Sequence, residues 1–154
     1  MKYLLGFGLA AVFGIGALVL WQTQASQAQG ESGGFLPYQD AERVASGATV
    51  YTYYCASCHG LDLSGEANWR SPDEDGYLPA PPHDQTGHTW HHPDEQLFLT
   101  VKYGTEKLVG GNYKSRMDGY GSILTDNEIM DVLAFIKSRW PAPVVKRHNQ
   151  VNGG

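Results

Sequence analysis

The stretch Cys55-Ala56-Ser57-Cys58-His59 decides how this chain is read. It holds both cysteines of the chain at C-x-x-C-H spacing, the attachment signature of haem c. Two residues between the thiols let both sulfurs reach the two vinyl groups of one porphyrin as thioethers. His59 is then carried beneath the iron as its proximal ligand. The bland alternative is a disulfide or a redox-active dithiol. A histidine directly after the second cysteine is unusual for such a pair, and no βαβ pattern surrounds it. The spacing implies one covalent haem c, held by Cys55 and Cys58 and ligated by His59.

Working outward, Asp40 reads as an N-cap and Ala41 to Tyr54 as a helix, with Val44, Gly47, Ala48 and Tyr51 at helical spacing. Pro93 is placed to be the first residue of a second helix, with Leu97, Phe98 and Val101 as its stripe and Gly104 as its stop. The last helix opens on a capping box, Thr125 with Glu128, and runs through Ile129, Val132, Leu133, Phe135, Ile136 and Trp140 to Pro141. Between the first two helices, residues 61–92 show no period and carry five glycines or prolines over 72–82. A structureless loop of that length signals function or a ligand. Three short helices make a thin core, which a large apolar macrocycle would complete.

The sixth iron ligand is sought among the methionines. Met130 lies inside the last amphipathic helix and reads as packing. Met117 lies in a glycine-rich strap, Met117-Asp118-Gly119-Tyr120-Gly121, that could cross the distal face. A thioether there favours the ferrous state and an electron carrier over an oxygen-activating site.

Composition bounds the rest. The 154 residues are 42% hydrophobic and 18% charged, with net charge −5, which argues against nucleic acid as a partner. Two cysteines exclude a disulfide-dense scaffold and a four-cysteine zinc site. Residues 3–21 contain no charge and follow Lys2, and no further charge appears until Glu31. Nineteen uncharged residues suit a membrane span, and Ser26 and Ala28 also suit a cleavage site. Residues 1–28 are thus a signal anchor or a signal peptide, with the N-terminus held in the cytoplasm. The remainder lies on the periplasmic side, anchored if residues 3–21 are retained and soluble if cleaved near Ala28. The chain divides into that segment, a linker over 29–39, a haem domain over 40–140 and a polar, solvated tail over 141–154.

These motifs resemble those of the class I c-type cytochromes, in a membrane-linked bacterial subgroup, over residues 38–140. Gly47 and Tyr51 stand eight and four residues before Cys55, where that family crosses its first and last helices, and Val132 and Phe135 match the other side of the crossing. Met117 lies seven residues before Leu124, matching the family's axial methionine, although Asp118 stands where proline is common. The resemblance implies an all-α fold of three or more helices wrapped around one haem. It also implies a proline carbonyl accepting from the proximal histidine. That proline is further from the motif here than is usual, since residues 61–76 resemble an insertion, and Pro81 or Pro82 is its counterpart.

His83, His88, His91 and His92 crowd the loop. They are expected to line the haem edge with Trp90, with Trp69 and Arg70 as propionate partners; a copper-handling module and a bis-histidine haem are the alternatives. Residues 62–95 hold eight acidic residues against Arg70, whereas Lys102, Lys107, Lys114 and Arg116 crowd the approach to Met117. Such runs are commonly solvated faces; the sharper reading is a basic ring that steers an acidic redox partner. The expected function is outer-sphere electron transfer without substrate chemistry, in a respiratory or photosynthetic chain or as the cytochrome subunit of a redox complex. A haem peroxidase or gas-binding sensor with an open distal site is the rival from the enzyme class.

Overall fold

The computed structural model describes residues 33–154. The expected membrane span over 3–21 and the cleavage site near Ala28 lie outside them. Among the described residues there is no strand, only an isolated antiparallel bridge between Gly104 and Asp118. No helix among them is long and apolar enough to cross a membrane.

Helix α1 spans Ala41–Tyr54, and the Asp40 carboxylate caps it by accepting from the backbone N–H of Glu42 and Arg43 at 3.0 and 3.2 Å. One turn of helix, α2 (Ala56–His59), follows at once and stops at Gly60, whose φ of 77° an L side chain rarely adopts. A 3₁₀ turn over Thr89–His91 precedes α3 (Asp94–Tyr103), and α4 (Thr105–Val109) follows after Gly104. Pro93 serves as the N-cap of α3, one position earlier than expected.

Helix α5 (Asp126–Ser138) carries the expected capping box, with Thr125 Oγ1 accepting from the Glu128 N–H and the Glu128 carboxylate accepting from Thr125. It ends before Trp140, which is buried beyond the helix and donates through Nε1 to the His83 carbonyl at 2.7 Å. Residues 141–154 are not a solvated tail. Pro141 caps a further helix, α6 (Ala142–Val151), which packs on the 3₁₀ turn with His148 fully buried.

Helices α1 and α5 cross at Gly47, where a Cβ would sit 1.9 Å from the Asp131 carbonyl oxygen. Only glycine lets the backbones approach so closely. Around the crossing, Val50, Tyr51, Ile129, Val132, Leu133 and Ile136 form the core. The Tyr51 and Phe135 rings meet at 5.3 Å, and Arg43 pairs with Asp131 across the same junction.

Candidate haem site

Cys55 ends α1 and caps α2, so the short helix presents Cys58 and His59 one turn later on the same wall. That wall belongs to a mostly apolar cavity of about 970 Å³, also lined by Leu97, Val101, Leu133, Ile136 and Met117. Cys55, Cys58, His59 and Met117 thus share one cavity although more than fifty residues separate the motif from the methionine.

The His59 Nδ1 donates to the Pro81 carbonyl at 2.8 Å, so Nε2 carries the lone pair. Burial is the main cause holding this imidazole below the ordinary histidine range, which keeps the lone pair available. Of the two prolines considered from sequence, Pro81 makes the contact; Pro82 is buried beside it, and its carbonyl accepts from Thr89 Oγ1 at 3.5 Å. Burial, and then the neighbouring Cys58, push the Cys55 thiol up to about 11. A thiol so reluctant to ionise is a poor redox dithiol, which needs a depressed pKa.

The Met117 strap is fastened along its length. Thr105 Oγ1 donates to Met117 Sδ at 3.6 Å, and the Met117 N–H donates to Ser115 Oγ at 3.0 Å. Tyr120 and Gly121 then donate through their backbone to the carbonyls of Val101 and Lys102, both at 2.9 Å, while the Tyr120 hydroxyl reaches the Tyr54 carbonyl at 3.0 Å. The strap therefore joins the end of α3 to the end of α1.

The loop from 61 to 92 is organised by its own hydrogen bonds. Glu66 and Ala80 exchange contacts, with the Glu66 N–H on the Ala80 carbonyl and the Ala80 N–H on the Glu66 carboxylate. Trp69 and Arg70 both line the cavity, the guanidinium 4.0 Å above the indole ring. His88 stacks on Trp69 at 5.3 Å, and His92 stands edge-on to His88. Trp90 is not part of the cavity wall; it stacks on His91 at 3.7 Å and lies beneath Arg147 of α6. No group of three metal-ligating side chains converges among the described residues.

His83 lines the cavity, as expected of the histidine-rich loop, but its contact with His59 was not foreseen. Its ring stacks on that of His59 at 3.9 Å and 22°, and its Nδ1 pairs with Thr89 Oγ1 at 2.8 Å. Thr105 is a residue missed outright, because nothing in a helix-opening threonine announces a sulfur contact twelve residues away.

The basic residues near Met117 are partly occupied within the molecule. Arg116 pairs with Asp73 at 2.6 Å and lies over the Tyr77 ring, Lys114 donates to the Asp75 carbonyl at 2.6 Å, and Lys102 pairs with Asp126. Lys107 lies over the Tyr103 ring at 5.6 Å. The acidic loop and the basic strap face each other.

Two thiols, an imidazole with its Nε2 lone pair and a thioether on one apolar cavity form a donor set suited to a covalently attached, six-coordinate haem. A model of the cytochrome c family matches residues 44–140. The chain is similar to the cbb3-type cytochrome c oxidase subunit FixP of Sinorhizobium medicae, 25% identical over 65% of this chain and 31% of that protein. FixP of Rhizobium meliloti is 24% identical over the same shares, and FixP of Bradyrhizobium diazoefficiens is 23% identical over 71% of this chain and 34% of that protein. The chain thus spans about a third of the length of these curated relatives. No solved structure matches it.

Proposed function

The chain belongs to the cytochrome c family, whose cofactor is covalent haem c, and we propose that it passes single electrons between redox proteins through one haem. The observation that carries this reading is the cavity that gathers Cys55, Cys58, His59 and Met117 from separate elements. When bound, the haem supplies an iron that alternates between ferric and ferrous states. Cys55 and Cys58 hold it by thioether bonds. His59 ligates through Nε2, oriented by its Nδ1–H on the Pro81 carbonyl. Met117 ligates through its sulfur, kept in place by Thr105 and Ser115. Leu97, Val101, Leu133 and Ile136 exclude water from the pocket. Two protein ligands leave no open coordination position, which favours an electron carrier over a peroxidase or a gas-binding sensor. Trp69 and Arg70, on the cavity wall, serve as propionate partners.

The likeness to oxidase subunits supports a place as the electron-feeding subunit of a terminal oxidase, or as a carrier serving one. The uncharged segment 3–21 behind Lys2 supports a periplasmic position tethered to the cytoplasmic membrane, or release by cleavage near Ala28. Lys102, Lys107, Lys114 and Arg116 remain the docking group for an acidic partner.

The test uses the full chain matured with haem c in a host that attaches it. A covalent haem adduct in the intact mass, one reversible one-electron titration and a ferrous form inert to CO are expected. A ferrous form that binds CO readily would overturn the carrier reading in favour of a gas-binding or peroxidase site.

A further inference from the structure

We propose that His83 is a positioning residue for the axial imidazole: its stacked ring sets the plane of His59 and supplies a polar neighbour on that ring's face. The inference rests on the haem reading above and adds a residue that the attachment motif does not contain.

One hydrogen bond, from His59 Nδ1 to the Pro81 carbonyl, restrains the rotation of the ring about its Cβ–Cγ bond but, with the angular tolerance of a hydrogen bond, leaves a range of ring tilts open. A second constraint is needed to set the plane, and the His83 ring, at 3.9 Å and 22° to His59, provides it. His83 is itself held at several points. Its Nδ1 pairs with Thr89 Oγ1 at 2.8 Å, its N–H donates to the Leu63 carbonyl at 2.8 Å, and its carbonyl accepts from Trp140 Nε1 at 2.7 Å. Leu63 is buried in a left-handed conformation with φ of 66°, so the loop bends sharply where it receives His83. Tyr51 stands edge-on to the His83 ring at 6.5 Å. A ring this constrained transmits its orientation to the ring it touches.

The choice of imidazole has a second consequence. An aliphatic side chain would fill the volume but give the face of His59 an apolar neighbour. The polarity and hydrogen bonding of the groups behind an axial ligand tune the potential of its iron, and an apolar surround disfavours the more highly charged ferric state. His83 therefore favours the ferric form.

The experiment compares the haem-loaded wild type with His83→Phe and His83→Leu, reading the g values of the ferric protein by electron paramagnetic resonance and the midpoint potential. His83→Phe keeps a stackable ring, so wild-type g values are expected. His83→Leu removes it, and an altered g spread is expected. In both variants reduction should become more favourable, by about threefold in equilibrium constant, roughly 30 mV for one electron. Wild-type g values in His83→Leu, or equal changes in Phe and Leu variants, would overturn the positioning role. An unshifted potential in both would overturn the polar one. If His83→Leu does not fold, Thr89→Val frees the His83 ring, and unchanged g values there overturn the positioning role. A wild type lacking covalent haem would instead refute the haem reading on which this rests.

Discussion

Met117 shows how much one residue depends on its neighbours. A methionine side chain is flexible and strays unless held. Thr105 Oγ1 on Sδ and Ser115 Oγ on the backbone restrict it to the cavity wall. Met117→Ala should leave an open coordination position, so the ferrous variant is expected to bind CO where the wild type does not. A variant as inert to CO as the wild type would mean another side chain ligates. Thr105→Val removes the contact to sulfur while keeping the volume, and faster exchange of the methionine for added imidazole is expected. The candidate ligands stood out in the sequence for different reasons: Cys55, Cys58 and His59 by a spacing that haem attachment demands, Met117 by its place in a glycine-rich strap ahead of the last helix. The contact of His83 with His59 did not, since a stack across twenty-four residues of loop leaves no local pattern.

At the scale of elements, the helix crossing rests on Gly47. A Cβ would come within 1.9 Å of the Asp131 carbonyl oxygen, and backbone cannot step aside cheaply. Gly47→Val should therefore destabilise the domain by about 1–3 kcal/mol, measured by the midpoint of guanidinium unfolding; an unchanged midpoint would show that α1 and α5 can separate freely. Thr125→Ala should cost about 1 kcal/mol through the lost capping box, with the same measurement. Helices α1 and α5 were legible because capping residues and apolar periods agree there. The loop 61–92 was illegible because its order comes from Asx-type turns at Asp62, Asp73 and Asp84 and from the Glu66–Ala80 exchange, none of which has a period. Helix α6 was missed for a different reason. Lys146-Arg147-His148 looks solvated, yet His148 faces inward and meets the Asp94 carboxylate at 3.4 Å.

For the molecule as a whole, that buried contact joins four segments. Asp94 Oδ2 accepts from the backbone of Phe35 and Leu36, Asn152 accepts from the Asp94 N–H, and Lys137, fully buried, stands 4.0 Å from Oδ1 and donates to the Gly33 carbonyl. The segment before α1, the start of α3, the end of α5 and α6 are tied at one point. Asp94→Asn leaves Lys137 buried without its counter-charge, and a loss of about 3–5 kcal/mol is expected; a loss below 1 kcal/mol would show water reaching the lysine.

Burial first, and then Lys137, depress the His148 pKa, against smaller opposing effects of Asp94 and the His92 carbonyl. The folded protein then binds fewer protons at this site than the unfolded chain below about pH 6.5. Stability therefore falls as pH drops through that window, and a smaller fall is expected in His148→Gln. An identical pH dependence in the variant would place the effect elsewhere. On the outer surface, neutralising Lys114 and Arg116 together should slow association with an acidic partner at low salt and flatten the salt dependence. It should also loosen the acidic loop, because Asp73 and the Asp75 carbonyl lose their partners. An unchanged rate with unchanged salt dependence would remove these two cations from the docking face.

The near-infrared absorption of the oxidised, haem-loaded protein tests the ligand pair directly, because a methionine sulfur bound to ferric haem gives a weak charge-transfer band there. The band should be present in the wild type and lost in Met117→Ala. Its absence from the wild type, or its survival in Met117→Ala, would contradict ligation by His59 and Met117.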